Sequence, residues 1–344
     1  MSELVTICIP TFRRPSLVLH CIHSCLIQDY RPLEIDISDN SPTDETRDLV
    51  ATISPPEGVT IRYWRNIPPT GPNENFRKLF TEARAPRLVL MNDDDVLLPG
   101  AVRAMSDAFS LAQDVVITYG LEQIINEMGE LLPDATAQIN RFYLRTPDRA
   151  GLRRDLLVCA FWRQVPHVGF MVLTEVARRI GIRDRSEVGL AVDIDFTIRL
   201  AQAYRGNALV FLDRPTVQSR GSAVTLNQTS LDVIWKLYDV VAPIDGLSPE
   251  EALAHDHLLR TIAPLALREH ALSNARGAAL RILLSRTFPR NRGWARTAYY
   301  VGLIAAPGVA SWARRMAGTR LAERGNESSP TWRGQRATLE RSLT

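Results

Sequence analysis

The first 120 residues alternate between short apolar runs and longer segments whose apolar positions recur three and four apart. Val5–Pro10 reads as a strand, and Pro15 then suits a first helical position. Leu17, Leu19, Cys21, Ile22, Cys25 and Leu26 follow it with roughly helical spacing. Leu33–Ser38 reads as a second strand that stops at Asp39-Asn40-Ser41-Pro42. Ser41 or Thr43 can cap the next helix, with Asp44 and Glu45 in its first turn. Val59–Trp64 gives a third strand, Gly71-Pro72-Asn73 opens a helix to about Ala85, and Leu88–Met91 gives a fourth strand. A helix over about Gly100–Ala112 and a strand at Val115–Tyr119 complete the series. Strands interleaved with helices of about ten to fifteen residues predict an α/β fold with a parallel sheet and right-handed crossovers.

Beyond residue 120 the pattern is less regular. Leu152–Trp162 and Leu190–Ala203 read as helices, Val168–Leu173 as extended chain, and Leu209–Leu212 as a short strand. From about Thr229 the chain turns helical, with Leu231–Val241 and Pro249–Leu284 rich in Ala and Leu. Thr297–Trp312 is apolar apart from Ser311, and Arg290, Arg292, Arg296, Arg314 and Arg315 flank it. The last twenty residues are polar and Arg/Ser-rich, a composition that predicts disorder. The expected division is a sheet-containing domain over 1–225, a helical extension over 226–325 and a tail over 326–344.

Composition changes this picture little. The net charge of +3 over 344 residues is too small to argue for nucleic acid. Residues 235–344 carry 16 Lys+Arg against 9 Asp+Glu, so the net positive charge sits in the helical part. Lys78 and Lys236 are the only lysines, an arginine bias too broad to assign to phosphate binding. Cys8, Cys21, Cys25 and Cys159 show no zinc-type spacing and read as buried thiols of a reducing compartment. The N-terminus enters a strand directly, which predicts no signal peptide, and no segment offers 18 clean apolar residues for a membrane span.

The chemistry concentrates at strand ends. The apolar run Leu88–Met91 stops at three consecutive carboxylates, Asp93, Asp94 and Asp95. Crowded like charges need a cation or full solvation, and hard oxygen ligands favour Mg²⁺ or Mn²⁺ combined with substrate phosphates. The alternative is a solvated acidic turn that starts the next helix. The other early strands also end in polar residues: Pro10-Thr11-Phe12-Arg13-Arg14, Asp39-Asn40-Ser41, and Arg65-Asn66. Open α/β sheets bind ligands at these carboxyl ends, and one nucleotide would explain all four.

Taken in order, these segments resemble the GT-A fold glycosyltransferases of family 2. The opening Val-Thr-Ile-Cys-Ile-Pro-Thr-Phe-Arg-Arg is similar to that family's first strand and Pro-Thr turn. Asp39-Asn40-Ser41-Pro42-Thr43-Asp44 resembles its Asp-Gly-Ser-x-Asp turn, and Asn66, Gly71 and Asn75 its Asn…Gly…Asn segment. Met91-Asn92-Asp93-Asp94-Asp95 resembles the metal motif, and Asp193-Ile194-Asp195-Phe196-Thr197-Ile198-Arg199-Leu200 the later acidic helix. The resemblance covers about residues 4–225. It implies a nucleotide-sugar-binding half over 1–120 and an acceptor-binding half over 121–225. Pro10, Thr11, Arg13, Asp39, Asn66, Asn75, Asp93 and Asp95 would then bind the nucleotide-sugar. Asp94, with Asp95, would hold Mg²⁺ or Mn²⁺, and Asp193 would be the catalytic base. His167 and Gly169 would lie along the acceptor pocket, although a loop histidine also fits His167. Asn92 in place of the commoner first Asp leaves the metal register open by one position. Asn40 and Val192 replace two of the family's acids, and Arg220-Gly221-Ser222 offers no His ligand.

Asp193 also has a physical case. It stands at the start of an amphipathic helix among Ile194, Phe196 and Ile198, and a carboxylate beside apolar groups suits a general base. The alternative is that Asp193 caps the helix while Asp195 pairs with Arg199 at i,i+4. The implied reaction is a single displacement that inverts the anomeric carbon, with no Cys or Ser nucleophile. The acceptor would be a saccharide, glycolipid or other hydroxyl compound of cell-envelope synthesis. A nucleotidyltransferase would need basic residues near a Gly-rich opening loop, and none is seen. A non-catalytic GT-A-like binding module remains the other alternative. The protein is expected in the cytoplasm. The apolar segment in 290–316 would span only ~24 Å as a helix, short of the ~30 Å hydrocarbon core. It either lies on the inner membrane face or packs as core. His255-Asp256-His257, in the helical part, reads as a solvated face.

Overall fold

Val5–Thr11 (β1) is buried almost throughout, as a strand covered on both faces must be. The computed structural model describes residues 2–221, 235–289, 294–306 and 308, with 294–296 by backbone alone. α1 (Pro15–Leu26) carries Pro at its first position and buries Val18, Cys21, Ile22 and Cys25. β2 (Leu33–Asp39), α2 (Glu45–Ala51), β3 (Val59–Arg65), α3 (Pro72–Glu82) and β4 (Arg87–Leu90) continue the alternation. The helix cap expected at Ser41 or Thr43 is absent: Asp44 stands at the cap position of α2 and makes no capping bond.

β1, β2, β3 and β4 pair in parallel. The register sets Thr11 beside Asp39 and Asp39 beside Arg65, so these strands end level on one edge. β5 (Val96–Leu97), α4 (Ala101–Ala108) and β6 (Val115–Ile125) follow. β6 runs six residues past the expected Tyr119, because its whole length pairs in parallel with the last strand. Between them come α5 (Pro133–Phe142), β7 (Gly151–Arg153), α6 (Leu156–Phe161), β8 (Met171–Leu173), α7 (Thr174–Ile180), α8 (Arg185–Val188) and α9 (Val192–Ala203). The expected Leu152–Trp162 helix is therefore split. Gly151, at φ 97°, starts a short strand on the sheet, and only Leu156–Phe161 is helical.

β9 (Ala208–Arg220) is far longer than the expected Leu209–Leu212. The nine-stranded sheet has the order β3-β2-β1-β4-β8-β6-β9-β5, with β7 also on β9. β8 is antiparallel to both neighbours, and β5 and β7 are antiparallel to β9. The sheet is thus mixed, with its parallel strands flanked by helices. The core joins inward residues of these strands, such as Ile7, Ile35 and Val89, to α1 and α4. Each fully buried aliphatic side chain there contributes about 1.5–3 kcal/mol.

The chain divides into two compact units, residues 1–262 and 263–344. α10 (Leu237–Val241) and the start of α11 (Pro249–Leu272) belong to the first. There His255 is buried, its Nε2 lies 2.9 Å from the Val241 carbonyl, and its ring packs on Phe161. His257 packs on Trp162 at 4.0 Å. The solvated face expected for this pair is overturned at His255, which is buried, while His257 stays exposed beside Trp162. α12 (Arg276–Leu284) and α13 (Trp294–Ala305) lie in the second unit. The expected Pro249–Leu284 helix breaks at Asn274, which adopts φ 62°. Among the described residues no helix is long and apolar enough to cross a membrane. All four cysteines are buried and free. The start of the expected Leu231–Val241 helix, most of the apolar segment's C-terminal half and the tail lie outside the described residues.

Candidate active site

The strand ends of β1, β2 and β3 meet in a polar cluster. Asp39, fully buried, accepts from the Ser41 amide at 2.7 Å and from the Tyr63 hydroxyl at 2.7 Å. Burial and the Asp39 carboxylate push the Tyr63 phenol above its ordinary value, so it stays a donor. Ser41 Oγ in turn accepts from the Arg13 amide at 2.8 Å. Asn66 donates to Asn40 at 2.8 Å and to Asn75 at 3.1 Å, and accepts from Lys78 at 2.7 Å. Asn75 donates to the Thr11 carbonyl at 3.4 Å. Buried amides need this mutual satisfaction, and it fixes the shape of the edge.

The acidic triplet follows β4 and lies opposite the end of β1. Asp93 accepts from Thr11 Oγ1 at 2.7 Å and from Arg14 at 3.1 Å. Arg14 reaches Asp94 at 2.9 Å through the same nitrogen. Burial pushes the Asp93 carboxyl up, and the Thr11 and Arg14 bonds oppose that rise. Asp95 is 2% exposed and is pushed up to about 7, first by burial and next, against it, eased by His167. Its Oδ1 accepts from the Arg220 amide at 2.9 Å, and its Oδ2 from Asn92 at 3.2 Å. The antiparallel pairing of β5 with β9 brings Arg220 there.

Among the described residues, no three His, Cys, Asp or Glu side chains converge as a ready-made metal cage. Asp94 is the most exposed of the triplet, at 25% against 8% for Asp93 and 2% for Asp95. Such a half-buried carboxylate with hard oxygens fits Mg²⁺ or Mn²⁺ shared with ligand phosphates and water. In this structure the cation on Asp94 is the Arg14 guanidinium.

A second group gathers from β6, α9 and the segment before β8. Asp193 lies in the first turn of α9, whose cap position is Ala191, with no side-chain capping bond. The capping alternative for Asp193 is thereby removed. Asp195, by contrast, is buried and paired with Arg199 at 2.7 Å and Arg183 at 3.1 Å, as the i,i+4 alternative expected. His167 has Nε2 3.8 Å from Asp95 and Nδ1 3.6 Å from Glu122. Burial pulls its imidazole down, but Glu122, Asp95 and Asp193 outweigh that and hold it above its ordinary value. Glu122 is buried and ion-paired with buried Arg145 at 2.6 Å. Burial pushes Glu122 up, and Arg145 and His167 more than reverse it. Gly169 adopts φ +71°, and a Cβ there would meet Val217 at 2.5 Å, so only glycine fits.

The structure therefore brings Thr11, Asp39, Asn66, Asn75 and Asp93 to one sheet edge and sets Asp95 within reach of His167. Sequence reasoning missed Arg14, Tyr63, Lys78, Glu122 and Arg145. Arg14 stood inside the opening motif, and Lys78 three residues beyond the Asn66–Asn75 segment. Glu122 and Arg145 lie in stretches without periodicity and gave no signal.

Residues 6–160 match the sequence family described as Glycosyl transferase family 2. A Campylobacter jejuni protein, "GalNAc(5)-diNAcBac-PP-undecaprenol beta-1,3-glucosyltransferase", is 31% identical over 102 residues, 29% of this chain and 33% of that protein. The chain spans about a third of the length of the curated relatives it matches. Among solved structures, S. aureus TarS 1-349 in complex with UDP superposes with a TM-score of 0.56 at 12% identity, covering 96% of this chain and 93% of that one. The mannosyltransferase PcManGT from Pyrobaculum calidifontis, in complex with GDP-Man and Mn²⁺, gives 0.50 at 16% identity, covering 90% and 88%. The fold is that of the GT-A glycosyltransferases.

Proposed function

From the membership of this chain in glycosyl transferase family 2 through its residues 6–160, we propose that it is an inverting, metal-dependent glycosyltransferase. It moves a sugar from a nucleoside-diphosphate sugar to an acceptor hydroxyl. The observation that carries this reading is the edge where β1 and β2 end level and the chain leaves β4, where buried Asp39 and the Thr11–Asp93–Arg14–Asp94 cluster lie together. Asp39, Asn66 and Asn75, with Pro10, Thr11 and Arg13 beside them, bind the base side of the donor. Asp93 takes the ribose, and Asp95 the donor sugar or metal-bound water. A divalent cation held by Asp94, with Asp95, supplies charge neutralisation for the leaving diphosphate.

Asp193 accepts the proton of the acceptor hydroxyl. The acceptor oxygen forms a bond to the anomeric carbon as the bond from that carbon to the diphosphate oxygen breaks. One displacement inverts the configuration, and the nucleoside diphosphate leaves with the electron pair. His167 and Gly169 border the acceptor. The half-exposed position of Asp193, free of any capping duty, supports its assignment as the base.

The acceptor is a saccharide or glycolipid of the cell envelope, a reading supported by the name of the C. jejuni relative. Work at the cytoplasmic face of a membrane, through residues 290–316, fits the exposed Tyr299 and Val301 of α13. The catalytic domain is 1–225, in donor and acceptor halves. Thermal melts against a panel of nucleotide sugars with Mn²⁺ or Mg²⁺ test the reading. A true donor at 100 times its Kd should add about 2.7 kcal/mol. No stabilisation by any nucleotide sugar, with either metal, would defeat it.

A further inference from the structure

Arg14 joins the loop after β1 to the acidic triplet. A single nitrogen, Nη1, bridges Asp93 at 3.1 Å and Asp94 at 2.9 Å. Its Nε and Nη2 have no hydrogen-bond acceptor among the described residues, and half of the side chain is exposed. Arg62, by comparison, spends its donors on Glu34, Asp36 and the Glu82 carbonyl. A guanidinium carries five donors in a fork that matches carboxylate and phosphate, so most of Arg14's recognition capacity is unspent.

The chain holds this side chain in place at a cost. Arg13, one residue earlier, sits at φ 56°, a left-handed conformation disfavoured for any residue with a Cβ. Its amide is tied to Ser41, whose own amide is tied to Asp39. Pro15 follows and starts α1. The loop Phe12–Arg14 is thus fixed from both ends, and the position of Arg14 is linked to the nucleotide side of the edge.

We propose that Arg14 is a built-in counter-cation that a divalent metal displaces from Asp94 and that then binds the donor's diphosphate. The proposal rests on the donor-site reading above. A carboxylate that serves Arg14 and a metal through the same oxygen cannot serve both fully, so the two compete. With Asp94 taken up by a cation, the fork of Arg14 would be free for a phosphate, the chemistry it matches. Arg14 therefore weakens binding of metal alone and strengthens binding of metal with nucleotide, which favours loading both together.

Calorimetry on wild type, Arg14→Ala and Arg14→Lys tests this, with Mn²⁺ alone and then with UDP and GDP at saturating Mn²⁺. Arg14→Ala should bind Mn²⁺ alone about fivefold more tightly, the worth of a partly exposed ion pair. It should bind the nucleoside diphosphate about tenfold more weakly, the worth of a charge-assisted bond. Arg14→Lys keeps the charge and should fall between the two, and it stands in if the alanine variant fails to fold. Mn²⁺ affinity unchanged or weaker in Arg14→Ala, or undiminished nucleotide affinity, overturns the counter-cation and leaves the donor site standing if wild type still binds. A wild type that binds neither nucleotide with Mn²⁺ overturns the donor-site reading and the counter-cation with it.

Discussion

Arg145→Met is the perturbation whose size the structure defines best. Arg145 and Glu122 are 2% and 3% exposed, and their ion pair is 2.6 Å long. Arg145 Nε also donates to the Gln164 carbonyl at 2.6 Å. Methionine approximates the volume but leaves Glu122 and that carbonyl without their donors. Removing one partner of a buried pair costs about 3–5 kcal/mol. At roughly 2–4 °C per kcal/mol for a domain of this size, the melting temperature should fall by about 6–20 °C. Urea unfolding at pH 7 measures the loss directly. The pH dependence has a definite sign. Glu122 in the fold is held below its ordinary value of 4.5, so its contribution is present above pH 4.5 and is lost as pH falls through the folded value. In Arg145→Met the uncompensated carboxyl takes up a proton more readily, so acid relieves its penalty. The gap between variant and wild type must therefore begin to narrow above pH 4.5, as the variant's carboxyl takes up its proton, and narrow further below pH 4.5 as wild type loses its own contribution. Glu122→Leu with Arg145→Met should recover much of the loss, because an apolar pair of similar volume carries no buried charge. A single variant within 1 kcal/mol of wild type at pH 7 would refute the reasoning.

Asp94→Ala should abolish the Mn²⁺-dependent part of nucleoside diphosphate binding, and calorimetry showing wild-type affinity would reassign the metal. Gly169→Ala should lose about 1–3 kcal/mol in urea unfolding, since its Cβ would meet Val217 at 2.5 Å on a left-handed backbone; a neutral change would contradict that packing. The full chain should float with anionic liposomes at low salt and leave them at high salt; a chain that stays with the soluble fraction makes the α13 region a packed element.

The first 120 residues were legible because their code is local. Strands β1 and β4 are mostly buried apolar runs and β2 and β3 carry apolar residues at alternate positions, and the boundaries of all four came within a residue or so. The second half was not legible, since its order depends on partners far along the chain. β6 and β9 extend to 11 and 13 residues only because each pairs with the other. β8 enters the sheet antiparallel between β4 and β6, a placement that three residues, Met171–Leu173, cannot announce. Asp195 could be read as structural from its Arg199 at i,i+4, but Arg183, its other partner, could not. Arg14 was hidden by its neighbours: beside Arg13 in a quoted motif, nothing in the letters told which one turns back to the triplet. The left-handed Arg13 decides that, and a backbone angle is not written in composition.

The most direct test of a catalytic strand-end site is the split between binding and turnover in Asp193→Asn. With a donor identified, its Kd and kcat are measured for wild type and variant in parallel, with product configuration read by proton NMR. Donor affinity should be unchanged, wild-type product inverted, and kcat lower by about 10²–10⁴, the usual contribution of a general base. A variant that turns over within threefold of wild type, or a wild-type product that retains the donor's configuration, would contradict it.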